Sequence, residues 1–381
     1  MIYDVAVIGA GVFGAWTAYQ LRLQGAAVLL LDAYGPGNNR ASSGGESRVI
    51  RLGYGPDEIY SRSAQKSFPM WQGLFARQEP WVNLFQKTGV LWLAREQDQY
   101  CEATLKTLQH LDANYERLDH DQLGKRFPQL DFDRIAWGIL EPDAGVLMAR
   151  RAVQAVVAQA RADGMDYREE AIAPPSPGTK KLSSIKTTSG HEIFAERFVF
   201  ACGPWLPKLF PELLGGLIHV TKQEVFFIGV PPGDESFKRL PAWIDFTDLV
   251  YGLPNLDSRG FKLAIDAHGP EFDPDSGERV VSASGLKAMR EYLAQRMPLL
   301  ADAPVTETRV CQYENTSNGD FLIDTHPVFE NVWLVGGGSG HGFKHGPAVG
   351  EYVVDMMYGR GIPEPRFSLV SKRRVRERTV Y

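Results

Sequence analysis

Cysteine is scarce in this sequence of 381 residues, which has only Cys101, Cys202 and Cys311. The number is odd and no C-x-x-C spacing occurs, which argues against a disulfide framework and against a zinc site. No bound metal is expected. Long apolar runs are missing too: none approaches the roughly 18 residues of a membrane-spanning helix. Nor does one sign of charge dominate. With 41 basic and 46 acidic residues the formal net charge is -5, no signature of nucleic-acid or anionic-membrane binding. The basic stretch "SKRRVRERTVY" (371–381) reads as a solvated C-terminal end. Internal repeats and low-complexity tracts are absent. A strand pattern begins at the N-terminus and leaves no room for a signal peptide, so a reduced, cytoplasmic setting is expected.

What is present is globular. The chain is 44% hydrophobic and 23% charged, and its length is comfortable for two domains. "YDVAVIGAGVFGAWTAYQLRLQGAAVLLLDA" reads as strand, glycine-rich turn, helix and strand. Gly9, Gly11 and Gly14 give G-x-G-x-x-G; Ala15, Ala18, Tyr19 and Leu21 continue as helix, which Gly25 ends. The first glycine makes the tight turn and the second admits a pyrophosphate close to the backbone. The third lets helix and strand pack, and the helix N-terminus meets the negative charge. Asp32, at the end of the second strand, can accept a ribose hydroxyl and disfavours a 2′-phosphate. FAD and NAD both remain open here.

The other end decides between them. "NVWLVGGGSGHGFKHGPAVGEYVVDMM" (331–357) is a second strand, glycine-rich loop and helix, with Pro347 tolerated in the helix's first turn. A simple NAD dehydrogenase does not need this second loop. A flavoprotein does, with the first loop on the pyrophosphate and the last near the isoalloxazine, where helix dipole and N–H groups favour developing negative charge. "RFVFACGPWLPKL" (197–209) adds a strand that opens into a Gly-Pro turn with Trp205.

In this order the three segments resemble the D-amino-acid-oxidase-like flavin oxidoreductases. Within that group the chain resembles the monomeric sarcosine oxidase and N-methyltryptophan oxidase family. The residues that carry this are "GAGVFG", "SSGGESRVIRLGYG", "FACGPW", "YGLP", "KLAID", "VCQYENTSNGDFLID" and "GSGHGFKHG", spread over residues 9 to 346. The resemblance implies an α/β fold: a Rossmann-like FAD-binding domain with an inserted mixed or antiparallel β-sheet substrate domain. Its bounds would be 1–84, 145–215 and 317–381 for FAD, and 85–144 and 216–316 for substrate. "GVLWLA" (89–94), "EVFFIGV" (224–230) and a hairpin in "YGLPNLDSRGFKLAID" (251–266) are β-rich runs outside the dinucleotide segments.

The resemblance also assigns roles. Cys311 would form a thioether to the 8α carbon of FAD, with Arg48 as the nearby cation that favours a thiolate. Val12, Phe13, Ala33, Ser42, Ser43, Ser47, Ala201, Gly203 and Trp205 would join the glycines and Asp32 around the cofactor. So would Gly338, Ser339, Gly340, Gly342, Phe343 and Lys344. Lys262 would promote the reaction of reduced flavin with O2. Arg51 and Lys344 would hold a substrate carboxylate, arginine through two parallel N–H donors and lysine as a point charge. Tyr251 and Tyr313 would line the substrate cavity, and His341 would lie beside the flavin.

Two positions depart from the family pattern. Asp266 stands where sarcosine oxidases carry a histidine four residues after the lysine. Ser43 and Gly44 replace a histidine pair ahead of Arg48. Both changes put sarcosine itself in doubt, and an acid at 266 favours a substrate with an extra cationic or hydroxyl group. If the strand continues that far, His268 shares the face of Asp266.

The implied activity is an FAD-dependent oxidase of secondary amino acids, N-methyl or cyclic. A hydride equivalent passes from the carbon beside nitrogen to flavin N5; the imine hydrolyses and O2 becomes H2O2. No residue stands out as a general base. Such an enzyme needs a small amino acid and O2 as partners and is expected to be a monomer. Alternatives on these motifs are a deglycating oxidase of fructosyl amino acids, and an amine dehydrogenase that uses an acceptor other than O2. A non-enzymatic flavin-binding subunit poorly explains carboxylate-binding cations beside the ring.

Overall fold

The structure, a computed structural model, describes residues 2–79, 83–176 and 180–375. Strand β1 (Tyr3–Ile8) buries every residue but Asp4, as an apolar run in the middle of a parallel sheet must. Helix α1 (Val12–Leu23) follows the glycine turn and leads to β2 (Val28–Asp32). β1 pairs in parallel with β2 on one side and with β3 (Glu192–Phe200) on the other. A Cβ at Gly14 would lie 1.8 Å from the Gly9 carbonyl oxygen. Only glycine there lets α1 start tight against the loop, as the spacing predicts.

The inserted chain builds a second sheet. Its β4 (Ile218–Ile228) pairs antiparallel with β5 (Phe261–Ile265) and with the edge strand β6 (Val305–Thr316). Among the described residues this sheet has eight strands, mostly antiparallel, with one parallel pair between Ala242–Asp245 and Val90–Ala94. The chain then returns to the first sheet as Leu322–Thr325 and β7 (Val332–Gly336), and continues into α2 (Gly346–Met357). The first sheet runs Leu322–Thr325, β7, β3, β1, β2, Asp166–Glu169.

α1 and α2 pack on one face of that sheet at unusually short range. A Cβ at Gly350 would sit 2.7 Å from the Trp16 carbonyl carbon, so the two helix backbones touch where side chains would hold them apart. Phe343, Val349 and Val353 join Phe13, Trp16 and the β1 interior in one apolar core.

Three expectations change. β5 ends at Ile265, so His268 lies beyond it and does not share a strand face with Asp266. β5 is also buried on both sides: Lys262 and Ala264 are each 3% exposed, where a hairpin strand usually wets one face. The C-terminal segment is not simply solvated. Lys372 is buried and donates to Asn318 Oδ1 and to the Asp320 and Arg366 carbonyls. The rest of the tail, 376–381, lies outside the described residues.

Candidate active site

A cavity of about 460 Å³ crosses the carboxyl ends of β2, β1, β3 and β7. It is walled by Gly9, Gly11, Val12 and Phe13 from the first loop, and by Asp32 and Ala33 after β2. Ser42, Ser43 and Arg48 close one side. Ala201, Gly203 and Trp205 follow β3, and Gly338, Gly340, Gly342 and Phe343 follow β7. Gly14, Ser47, Cys311, Ser339 and Lys344 do not line it. The shape suits an extended dinucleotide: its floor is glycine where backbone must approach, and it starts at a helix N-terminus. At Gly340, with φ +81°, a Cβ would lie 2.7 Å from the Tyr313 ring. The Ser42 hydroxyl oxygen in this wall is buried without a hydrogen-bond partner, as a group awaiting a polar ligand would be.

Two wall residues already have work within the protein. Asp32 Oδ2 accepts the Ala10 N–H at 2.7 Å and Oδ1 accepts the Tyr34 N–H at 2.9 Å, which fixes the loop to the end of β2. Burial raises its pKa against the pull of those hydrogen bonds. Ser43 Oγ accepts the Val12 N–H at 3.0 Å.

Cys311 lies next to the large cavity, in a smaller one shared with Arg48 and Lys262. Arg48 Nη2 is 3.2 Å from its sulfur and 2.9 Å from the Ser42 carbonyl oxygen. Lys262 Nζ donates to the Ser47 carbonyl at 2.9 Å and to Ser47 Oγ at 3.3 Å. Burial, and after it the Arg48 guanidinium, push the Lys262 pKa well below the ordinary lysine value. The ammonium sits 5.9 Å from the Tyr251 ring.

Arg51 and Lys344 converge on a residue that sequence reasoning missed, Tyr54. The Arg51 guanidinium lies over the Tyr54 ring at 4.2 Å and the Trp92 ring at 4.5 Å, and donates to the Gly53 carbonyl. Lys344 Nζ donates to the Tyr54 hydroxyl at 2.8 Å. Burial and Arg51 both lower the Lys344 pKa, and burial raises that of Tyr54. Nearby, the Tyr313 hydroxyl donates to Asp266 Oδ1 at 2.7 Å. Burial raises the Asp266 pKa while Tyr313, Arg51, Lys344 and Arg48 pull it back. One acid and three cations thus share an electrostatic neighbourhood. His341 stacks on Phe321 and meets the Gly319 carbonyl through Nε2 at 3.0 Å, so its ring is part of an aromatic cluster.

Two further residues organise this site. His345 Nε2 is 2.7 Å from the Tyr54 hydroxyl and its Nδ1 is 3.0 Å from Ser63 Oγ. Glu141 is 2% exposed and accepts three donors: Leu52 N–H at 2.7 Å, Gly53 N–H at 3.1 Å and Trp92 Nε1–H at 2.8 Å. It fixes both the backbone after Arg51 and one ring that flanks the guanidinium. Glu141→Leu leaves those donors unpaired, at about 1–3 kcal/mol each. Chemical denaturation should show a loss of at least about 3 kcal/mol, with a smaller loss for Glu141→Gln, which keeps an acceptor. An unchanged unfolding midpoint for Glu141→Leu counts against this role.

Comparisons with known proteins bear on the family and the fold. A family model described as FAD dependent oxidoreductase matches residues 4–356. The chain is 30% identical over 360 residues to the monomeric sarcosine oxidase of Bacillus sp. (strain B-0618), covering 92% of this chain and 90% of that protein. It is 29% identical to the N-methyl-L-tryptophan oxidase of Salmonella arizonae, covering 93% and 94%. Among solved structures, the L-proline dehydrogenase of P. horikoshii superposes with a TM-score of 0.83 at 19% identity, over 97% of each chain, a likeness of fold. No helix among the described residues is long and apolar enough to cross a membrane, and no described cluster of side chains has the makings of a metal site.

Proposed function

This chain belongs to the FAD dependent oxidoreductase family, and from that premise we propose that it is an oxidase of secondary amino acids, N-methyl or cyclic. The observation that carries the reading is the convergence of Arg51 and Lys344 on Tyr54, with Asp266 and its Tyr313 partner in the same neighbourhood. Two buried cations suit a carboxylate. An acid beside them suits the substrate's nitrogen or a further polar group. FAD, when bound, accepts a hydride equivalent from the carbon beside nitrogen and returns the electrons to O2 as H2O2.

The protein's part is to bind and orient. Arg51, whose guanidinium lies over the Tyr54 and Trp92 rings, presents its free N–H groups to the carboxylate. Lys344 adds the second positive charge. Asp266, whose raised pKa makes it a better proton acceptor than an exposed aspartate, can take the proton of an incoming ammonium and leave the amine neutral. Lys262 and Arg48 provide fixed positive charge on the side of Cys311. Positioning and cationic stabilisation then do most of the catalysis. The imine product hydrolyses in water.

The test is an amine panel followed anaerobically by flavin bleaching, with peroxide measured under air. N-methyl and cyclic amino acids should bleach the flavin and yield peroxide. Bleaching by fructosyl amino acids alone supports a deglycating oxidase, and bleaching without peroxide supports a dehydrogenase. Arg51→Ala should raise KM for an amino-acid substrate about 10- to 100-fold, from a lost bidentate charge contact. It should change KM far less for an amine without a carboxylate. Equal effects on both overturn the carboxylate assignment.

A further inference from the structure

Glu314 has no part in the chemistry above, yet it stands in the cofactor cavity wall. It lies on β6, three residues beyond Cys311, and is 8% exposed. One carboxyl oxygen, Oε1, accepts the Gly338 N–H at 3.2 Å. The other, Oε2, is buried without any hydrogen-bond partner. Glycines surround it: a Cβ at Gly203 would lie 3.3 Å from Oε2, and one at Gly336 3.6 Å. A buried acid with an unmet oxygen is costly unless something else meets it. Here the open side is the cavity.

Its position along that cavity indicates what meets it. The sheet order β2, β1, β3, β7 gives the ligand a direction. The ribose-facing acid Asp32 ends β2, and the pyrophosphate loop follows β1. If Cys311 carries the flavin, then Cys311 and Arg48 mark the far, flavin end. Glu314 stands against the turns after β3 and β7, between loop and flavin end. In FAD the part between the pyrophosphate and the ring is the ribityl chain, a run of hydroxyl groups. We propose that Glu314 is a cofactor-binding residue of this chain, whose Oε2 accepts hydrogen bonds from the ribityl hydroxyls of FAD. This rests on FAD as the cofactor.

Burial holds the pKa of this carboxyl up at about 7, against the pull of the Gly338 N–H. Hydroxyl donors favour the carboxylate, so FAD binding must release a proton, and affinity must rise with pH. Other titratable groups nearby are Cys202 on the β3 turn, Tyr313 beside it on β6, and His219 on β4, whose Val220 pairs with Glu314. Burial raises the Cys202 and Tyr313 pKa values, away from neutrality. The His219 contribution is shared by wild type and variant, and cancels in their difference.

The experiment uses full-length apoprotein carrying Cys311→Ser, so that FAD association is reversible. Calorimetric titration with FAD in buffers of different ionisation enthalpy should show about half a proton more released near pH 7 with Glu314 present than in the additional Glu314→Gln variant. Between pH 6 and pH 8 the Kd should fall about tenfold further with Glu314 present than with glutamine. Should glutamine prevent folding, Glu314→Thr in the same Cys311→Ser background takes its place in the comparison. Equal proton release in both proteins, or affinity that falls with pH, overturns the proposal. Failure of FAD to bind at all overturns the cofactor assignment itself, a separate result.

Discussion

Lys262→Met should slow reoxidation of the reduced flavin by O2 on the order of 10²- to 10³-fold, the loss typical of removing one preorganised charge from an oxyanion-type site. Anaerobic reduction by the amine should stay within a few-fold of wild type, because no amine-binding role falls to this lysine. Stopped-flow measurement of the two half-reactions separates them, and unchanged reoxidation refutes the role. The effect is large because negative charge develops on O2 where water is scarce. Lys262 is 3% exposed and held by Ser47 through two acceptors, so its ammonium needs no reorganisation as the charge appears. The same burial sets the pH dependence. A lysine whose pKa is depressed is charged below that lowered value and neutral above it. Reoxidation should therefore decline as pH rises, with a midpoint well under the ordinary lysine pKa. The methionine variant should lose this decline.

Much of the fold was legible because its signals are local. The Gly9 turn, with φ +103°, the start of α1 and the acid closing β2 all fall within one stretch of chain. The same holds for the second glycine loop and Pro347 in the first turn of α2. The site was legible in another way. Arg48 and Cys311 lie 3.2 Å apart, but 263 residues separate them, and only the family resemblance joined them. Where the resemblance was silent, pattern failed. Tyr54 and His345 meet across 291 residues, and Glu141 reaches Leu52 across 89. Each looks like an ordinary strand or loop residue until the sheets pack. Glu314 reads as a polar position on an alternating strand; it is buried where that strand meets the turns after β3 and β7. Lys372 failed for the opposite reason. A basic run predicts solvation, but the carbonyls of Asp320 and Arg366 gave one of its members a buried place.

Acid denaturation of the wild-type protein should leave the yellow colour on the polypeptide, and in Cys311→Ser should release all of it. The expectation rests on charge as much as on proximity. A thioether to FAD would replace a C–H of the 8-methyl group, with the two electrons passing to the flavin and on to O2, and a guanidinium within hydrogen-bonding distance of the sulfur would offset negative charge arising there. Arg48 keeps this charge at any working pH and is fixed by two further hydrogen bonds, to the Ser42 and Ser47 carbonyls, so it cannot swing away. Cys202 and Cys101 are the internal comparison. Cys101 is buried and Cys202 partly so, both have pKa values raised by desolvation, and neither has a cation as its partner. A bond through either would need a thiolate that its surroundings disfavour. Arg48→Met should therefore give protein that still binds FAD but forms the link slowly or incompletely, visible as a mixture of retained and released flavin. Full retention by Cys311→Ser would move the bond to another residue. Complete release by the wild type would make the cofactor noncovalent and leave the Arg48–Cys311 contact a matter of packing.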